Sequence, residues 1–334
     1  MGKEIPPLSL AAKNGDEATV RQLLEQNRVY IEEENAAGET PLMTAADKGH
    51  SAIVELLLEH GAKIHARRGF DGLQPIHFAA LRGHQPVVEL LLARGADMYA
   101  TADECFWSPM MYAVSGGYET LVESLLSKGA RINDTDRFGC TPLTWAAERG
   151  NESMVRLLLS KGAAVDARNN RGETPLGAAA GKGHEAVMRL LLEHGAEPDA
   201  KAKDGTTPLF YAAETGRVSA LRLLLLEQNV AVDAMNDLKM TPLSSAAFGG
   251  VVDAMEVLLD RGADIEHRDK LCRTPLFLAA WRGREAAVKL LLNRGVVIAV
   301  KDNKGRTTVE IAEEGGHHAI VKILKEHEEA SRRA

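Results

Sequence analysis

The sequence predicts an all-α fold, a solenoid of stacked helix-turn-helix units with projecting β-hairpin-like fingers. Two phased series and a recurring core carry that prediction. Nine of the twelve prolines fall at positions 7, 41, 75, 109, 142, 175, 208, 242 and 275, always 33 or 34 residues apart. Glycines at 15, 49, 83, 117, 150, 183, 216, 250, 283 and 316 run in step. Ala-Ala pairs and leucine-rich runs such as Leu157-Leu158-Leu159 repeat between them. Thr308 takes the proline slot one period after Pro275, so ten units fill the 334 residues. A period of this size marks supersecondary units that bury a common core only by stacking on their neighbours.

Each unit follows one internal order. Thr-Pro-Leu, as at Thr141-Pro142-Leu143, opens a short helix, because threonine accepts a cap hydrogen bond and proline suits the first helical turn. Ala146-Ala147 then allows two helices to approach closely, and the phased Gly150 ends the helix in the left-handed region. The second helix carries the leucine triplet and closes near Gly162. Where that closing glycine is missing, Asn27 and Asn229 stand close by, and asparagine is its usual substitute. An extended stretch, Ala164-Val165-Asp166-Ala167, and the turn Asn170-Arg171-Gly172 form the finger.

Both ends read as caps, since the exposed face of a stacked array has to be polar. The last unit has Thr307-Thr308-Val309, with Glu310, Glu313 and Glu314 on its first helix. The first starts at Pro6-Pro7-Leu8 and carries Arg21-Gln22 on its second helix. Residues 1–334 are therefore expected to be a single domain. Residues 1–34 form its N-terminal cap, 35–301 eight internal repeats, and 302–334 a C-terminal cap with a tail.

Asp204-Gly205-Thr206-Thr207-Pro208-Leu209, followed by units such as Gly183-His184-Glu185-Ala186-Val187-Met188-Arg189-Leu190-Leu191-Leu192-Glu193-His194-Gly195-Ala196, resembles the ankyrin repeat over nearly the whole chain. The histidine of the family's Thr-Pro-Leu-His core survives only at His77. Its slot elsewhere holds Met43, Met111, Thr144, Gly177, Phe210, Ser244 or Phe277. The resemblance implies an ankyrin-repeat solenoid that binds other proteins. It also implies that fingertips and the exposed ends of the first helices line a concave groove.

Composition narrows the function. The formal net charge is −7, with 45% hydrophobic and 26% charged residues. Nucleic-acid binding relies on Lys and Arg neutralising phosphates, and the basic runs Arg67-Arg68 and Arg332-Arg333 are short. No nucleic-acid partner is expected. No apolar run approaches the ~20 residues of a membrane span, and Met1-Gly2-Lys3-Glu4-Ile5-Pro6-Pro7 is no secretory leader. Cys105, Cys140 and Cys272 form neither a disulfide framework nor a zinc spacing. A cytoplasmic or nuclear monomer with no cofactor and no membrane contact is the expectation.

Fragments that imitate chemistry fail in context. Gly177–Gly183 lacks one spacer and the Ser/Thr of a phosphate loop, and Gly181–Ala186 lacks the strand of a dinucleotide fingerprint. Asp134-Thr135-Asp136 starts like a calcium loop, but Phe138 and Trp145 occupy two ligand positions. His50, His84, His184 and His317 follow the phased glycine, and His60 and His194 precede the closing one. Recurrence in register assigns them a turn or helix-end role.

Slots that vary among the ten units are free to carry function, and aromatic residues concentrate there. Trp107, Phe138, Phe248 and Trp281 occupy slots that elsewhere hold Glu39, Glu173, Arg171, Asp47, Glu148 and Glu214, so they are expected to face water. Exposed aromatics are the residue type of interface hot spots. Phe70, Leu81 and Met240 share those slots. Phe78, Tyr112, Trp145 and Tyr211 share the slot of Leu278 and are expected to be half-buried, while Phe210 and Phe277 read either way. Phe106, Lys239 and Cys272 replace the turn glycine found at 38, 72, 139, 172, 205 and 305, and those turns are expected to take another shape. Two apolar patches result, around 104–145 and 238–282. The latter includes Arg282, and a mixed-charge stretch with Glu148, Arg149 and Glu214 lies between them.

The expected function is a protein-protein interaction module, or scaffold, that holds a protein or peptide on these residues. The alternative is an enzyme or small-molecule site in an aromatic-lined concave pocket, although no nucleophile-base pair or metal set supports it.

Overall fold

The computed structural model describes residues 5–26, 30–102, 105–227 and 230–333, with side chains as far as 330. Asn27, Asn229, Met1–Glu4 and the side chains of Arg332 and Arg333 lie outside them. The chain divides into two compact units, one up to Ala146 with Ser153–Ala164, the other Ala147–Glu152 with Val165 onward.

The first unit holds α1 (Pro7–Asn14), α2 (Glu17–Glu25), α3 (Pro41–Lys48), α4 (Ser51–Glu59), α5 (Pro75–Leu81), α6 (Gln85–Ala93), α7 (Pro109–Gly116) and α8 (Glu119–Ser127). The boundary falls within α9 (Pro142–Arg149), and α10 (Glu152–Ser160) lies mainly in the first unit. The second unit holds α11 (Pro175–Lys182), α12 (Glu185–Glu193), α13 (Pro208–Thr215), α14 (Val218–Leu224), α15 (Pro242–Gly249) and α16 (Val252–Asp260). It continues with α17 (Pro275–Trp281), α18 (Glu285–Asn293), α19 (Thr308–Glu314) and α20 (His318–Arg333). Among the described residues there are twenty helices and no strand; one isolated bridge pairs Lys301 with Thr307. The fold is an all-α repeat solenoid. Within each unit first helices stack on first helices, as α1 on α3 and α13 on α15, and second helices on second helices, as α4 on α6 and α14 on α16.

The helices begin and end as their sequences require. Thr40, Thr174, Thr207, Thr241 and Thr274 each accept a bond from the backbone N–H three residues on, and a proline follows as the first helical residue. The alanine pairs 45–46, 79–80, 212–213 and 279–280 are fully buried, which is what lets neighbouring first helices approach. Glu310, Glu313 and Glu314 on α19 are exposed, as are Arg21 and Gln22 on α2.

Two phased glycines show why the slot admits nothing else. Gly49 and Gly150 have φ of 76° and 71°, and a Cβ there would stand 2.7 and 2.5 Å from the rings of His84 and His184 in the following repeat. Those rings are staples. The Nε2–H of His84 donates to the Asp47 carbonyl at 2.9 Å, and that of His184 to the Glu148 carbonyl at 3.0 Å. His50 and His317 repeat the bond to Lys13 and Trp281, while His60 and His194 donate Nδ1–H to helix carbonyls four residues back, both at 2.8 Å. The recurring histidines thus have the helix-end roles expected of them.

The fingers are turns closed by an Asn or Asp side chain. Asn35, Asp136, Asn169, Asn236, Asp269 and Asp302 each accept backbone N–H bonds from residues two and four positions later. Successive fingers are tied by backbone bonds, as Lys203 N–H to Arg171 O at 2.8 Å and Lys270 N–H to Leu238 O at 2.9 Å. The turns of Phe106, Lys239 and Cys272 correct an expectation. They keep the glycine conformation, with φ of 55°, 55° and 59°. At Lys239 and Cys272 the bonds around the turn over-determine the backbone and hold a side chain where only glycine is free of strain.

Candidate functional site

In the first unit an aromatic cluster forms where the finger before α7 meets α7 and α9. Trp107 packs edge-to-face on Tyr112 and Trp145, with ring centroids 5.2 and 4.9 Å away and interplanar angles of 67° and 68°. His77 extends the row, 5.7 Å from Tyr112. Beneath the rings lies the buried carboxylate of Asp136, which accepts the indole N–H of Trp145 at 3.0 Å and of Trp107 at 3.4 Å. Burial, reinforced by nearby Asp71, pushes the Tyr112 phenol up to about 12. The calcium-like run 134–136 is thus a finger turn whose carboxylate serves the rings.

Beside the cluster, Phe138 and Phe106 are half exposed, at 50% and 51%, and Phe70 reaches 68%. Arg68 stacks between Phe70 and Phe78, 4.4 and 4.8 Å from their centroids, and is held by Glu39 at 2.8 Å and Asp71 at 2.6 Å. Burial alone would raise the Asp71 carboxyl; the Arg68 guanidinium overrides it and holds the group below the usual range.

In the second unit Phe248 and Trp281 meet edge-to-face at 5.8 Å. Arg282 lies 4.7 Å over Phe248, and Arg273, fixed by buried Asp269 at 2.6 Å, lies 5.3 Å over Trp281. Leu238 and Leu271 project from neighbouring fingertips, 56% and 42% exposed. Sequence reasoning passed over this pair. The signal was available, since the same fingertip slot holds Arg171, Asp204 and Lys304.

The mixed-charge residues also lie in the second unit. Glu148 pairs with Lys182 at 3.2 Å, while Arg149 and Glu214 are exposed. Glu173 and Tyr211 flank Gly177, and a Cβ on that glycine would touch both at 3.4 Å. Burial pushes both ionisations up, helped at Glu173 by the charge of Glu148 and at Tyr211 by that of Glu173.

Several exposures differ from expectation. Of the four aromatics expected in water, Phe138 and Trp281 are exposed, but Trp107 and Phe248 are half-buried. Trp107 is covered by its two ring neighbours, and Phe248 by Trp281 and Arg282. Leu81, Met240 and Glu148 are also half-buried, whereas Phe70, Phe106 and Arg282 stand exposed. Phe78 is buried at 3%, deeper than its slot suggested, because Arg68 closes over it. Phe210 and Phe277, which read either way, are core at 5% and 1%. Tyr112, Trp145 and Tyr211 are half-buried as their slot suggested.

No group of three or more His, Cys, Asp or Glu suited to a metal occurs among the described residues. Cavities of about 370, 410 and 450 Å³ are lined by residues such as Ser9 and Lys13, Val297 and His327, and Arg168 and Asp199. The aromatic clusters contribute to none of the three. No described helix is long and apolar enough to cross a membrane.

Fold and surface together define a class, a helical repeat solenoid whose variable side chains gather on fingers and first helices. The particular family follows from the sequence. A family model for ankyrin repeats, three copies long, matches residues 8–102, 67–136, 110–202, 196–269 and 266–333, and the chain belongs to the ankyrin-repeat family. Ankyrin repeats are generally protein-protein interaction modules and typically non-enzymatic. No curated protein matches the sequence.

Proposed function

We propose that this chain is a protein-interaction module that grips a partner protein or peptide along the concave face lined by its fingers and first helices. The proposal treats residues 1–334 as one capped domain, a cytoplasmic or nuclear monomer serving as a scaffold. The observation that carries it is the gathering of exposed aromatics, Phe70, Phe106 and Phe138 in one unit and Trp281 beside half-buried Phe248 in the other, on the elements that vary among repeats. Large rings left in water are disfavoured unless a partner covers them. Leu81, Met240, Trp107 and Arg282 border them, and Glu148, Arg149 and Glu214 add polar groups of both signs that suit a protein segment.

The test is quantitative affinity purification with the full chain against F138A, W281A and the pair L238S/L271S. These side chains are exposed, so the variants keep the fold. Recovery of a specific partner is expected to fall at least tenfold in one of them, because hot-spot truncations cost about 2 kcal/mol or more. Undiminished recovery in all three would refute this mapping of the surface.

A further inference from the structure

Resting on that reading, a second property of the surface identifies what one part of it recognises. The chain covers most of its exposed rings with its own arginines. Arg68 covers Phe70 and Phe78, Arg131 covers Tyr99, Arg137 covers Phe138, Arg282 covers Phe248 and Arg273 covers Trp281, at 4.4–5.3 Å from guanidinium carbon to ring centroid. Tyr30, Phe106 and Tyr211 have no such cover among the described residues, and neither have Trp107, Tyr112 and Trp145, which differ in lying together as a cluster of three rings. Its rings are half-buried, so each keeps area open to solvent, and among the described residues no arginine or lysine stands over any of them.

The electrostatics beneath the rings point the same way. Asp136 is 5% exposed, and its hydrogen bonds come from neutral donors: the backbone N–H groups of Phe138 and Cys140 and the indoles of Trp107 and Trp145. Among the described residues no arginine or lysine forms an ion pair with it. An indole N–H donating to a carboxylate also carries more electron density on its ring, because hydrogen bonds in a chain polarise one another. Three edge-to-face rings over a fixed anion attract a planar, weakly hydrated cation more strongly than a ring alone does.

We propose that the Trp107–Tyr112–Trp145 cluster receives an arginine side chain of the bound peptide, repeating in trans the guanidinium-on-ring contact that the chain makes in cis elsewhere. Arginine is the occupant of choice because those internal contacts all use a guanidinium and none uses an ammonium.

The three tryptophans, Trp107, Trp145 and Trp281, give three indole N–H signals in a ¹⁵N–¹H spectrum of the full chain, and W281F assigns the third. The probes are N-acetylarginine amide, N-acetylcitrulline amide, which has the shape without the charge, and N-acetyl-trimethyllysine amide. Saturable shifts at Trp107 and Trp145 are expected with the arginine probe, with affinity about tenfold above citrulline, the range a partly desolvated cation–π contact supports. Y112L is expected to abolish the difference while keeping the fold, because Leu278 fills the same slot in another repeat. Equal binding of citrulline, binding of trimethyllysine in preference to arginine, a larger shift at Trp281, or no shift at about 50 mM probe overturns the proposal. Any of these would leave the affinity-purification result standing, so the two readings fail separately.

Discussion

At the scale of single residues, the finger base follows a chemical rule. At two asparagine anchors the amide donates to a glutamate four residues on, Asn35 to Glu39 at 3.0 Å and Asn169 to Glu173 at 3.1 Å, whereas Asn236 has Met240 at that position. Where it is aspartate its second oxygen accepts from an arginine four residues on, as with Arg273 on Asp269 and Arg306 on Asp302, both at 2.7 Å. Asp136 has Cys140 at that position and takes two indoles instead. In the Asn-Glu and Asp-Arg pairs donor meets acceptor, which a single-atom change at the anchor would reverse. His77 shows the same logic for a proton. Its Nδ1 accepts the Gln74 N–H at 2.9 Å, so the proton sits on Nε2 and donates to the Ala100 carbonyl at 2.8 Å. Burial holds its ionisation below the ordinary value of 6.5, with the charge of Arg67 adding to the shift. The unfolded chain then binds the proton first, so the stability from neutral His77 is present above about pH 6.5 and is lost as pH falls through the lower folded value. In H77M, which copies the buried Met43 and Met111, the melting temperature is expected to fall less between pH 7 and 5 than in the unsubstituted chain. Parallel melting curves for the two proteins across that range would contradict this.

At the scale of the element, the finger turn owes its shape to its bonds and tolerates a disfavoured residue. Lys239 and Cys272 hold φ near 55–59° because their own N–H groups bond to Asn236 and Asp269 while those anchors hold the residues on either side. A side chain in the left-handed region costs roughly 1–2 kcal/mol, and a glycine returns about half of that gain as chain entropy. K239G and C272G are each expected to stabilise the second unit by about 0.5–1 kcal/mol, measured as a raised urea midpoint at constant slope. A lowered midpoint would mean that the lysine or cysteine side chain contributes contacts outweighing the strain.

At the scale of the molecule, repeats communicate through their neighbours. Leu291 on α18 is fully buried, and α18 packs on α16, α17 and α20. L291A is expected to cost about 2–5 kcal/mol locally. In a stack stabilised by nearest-neighbour contacts, hydrogen exchange should speed up in α16 through α20 while α1 to α6 keep their protection. Uniform loss of protection along the chain would instead show that the ten repeats open as one cooperative body.

The sequence by itself determined the fold. Phased proline, glycine and alanine slots fix where each helix starts, stops and touches its neighbour, and these are local or nearest-neighbour constraints that a repeat writes ten times. Even the recurring histidines were legible as helix-end groups, because recurrence in register filters structure from function. The site was legible only in part. Sequence position separated variable slots from framework but gave the wrong exposure for Trp107 and Phe248, missed Leu238 and Leu271, and expected a new shape for the turns at Phe106, Lys239 and Cys272. What only the tertiary structure decided is which ring lies under which cation. Some of these contacts join neighbours in sequence, as Arg137 and Phe138, and others join adjacent repeats, as Arg282 over Phe248 or Trp107 and Trp145 over Asp136. A period in the chain sets the distance between two slots, and the contact itself depends on the rotamers and charges that converge there.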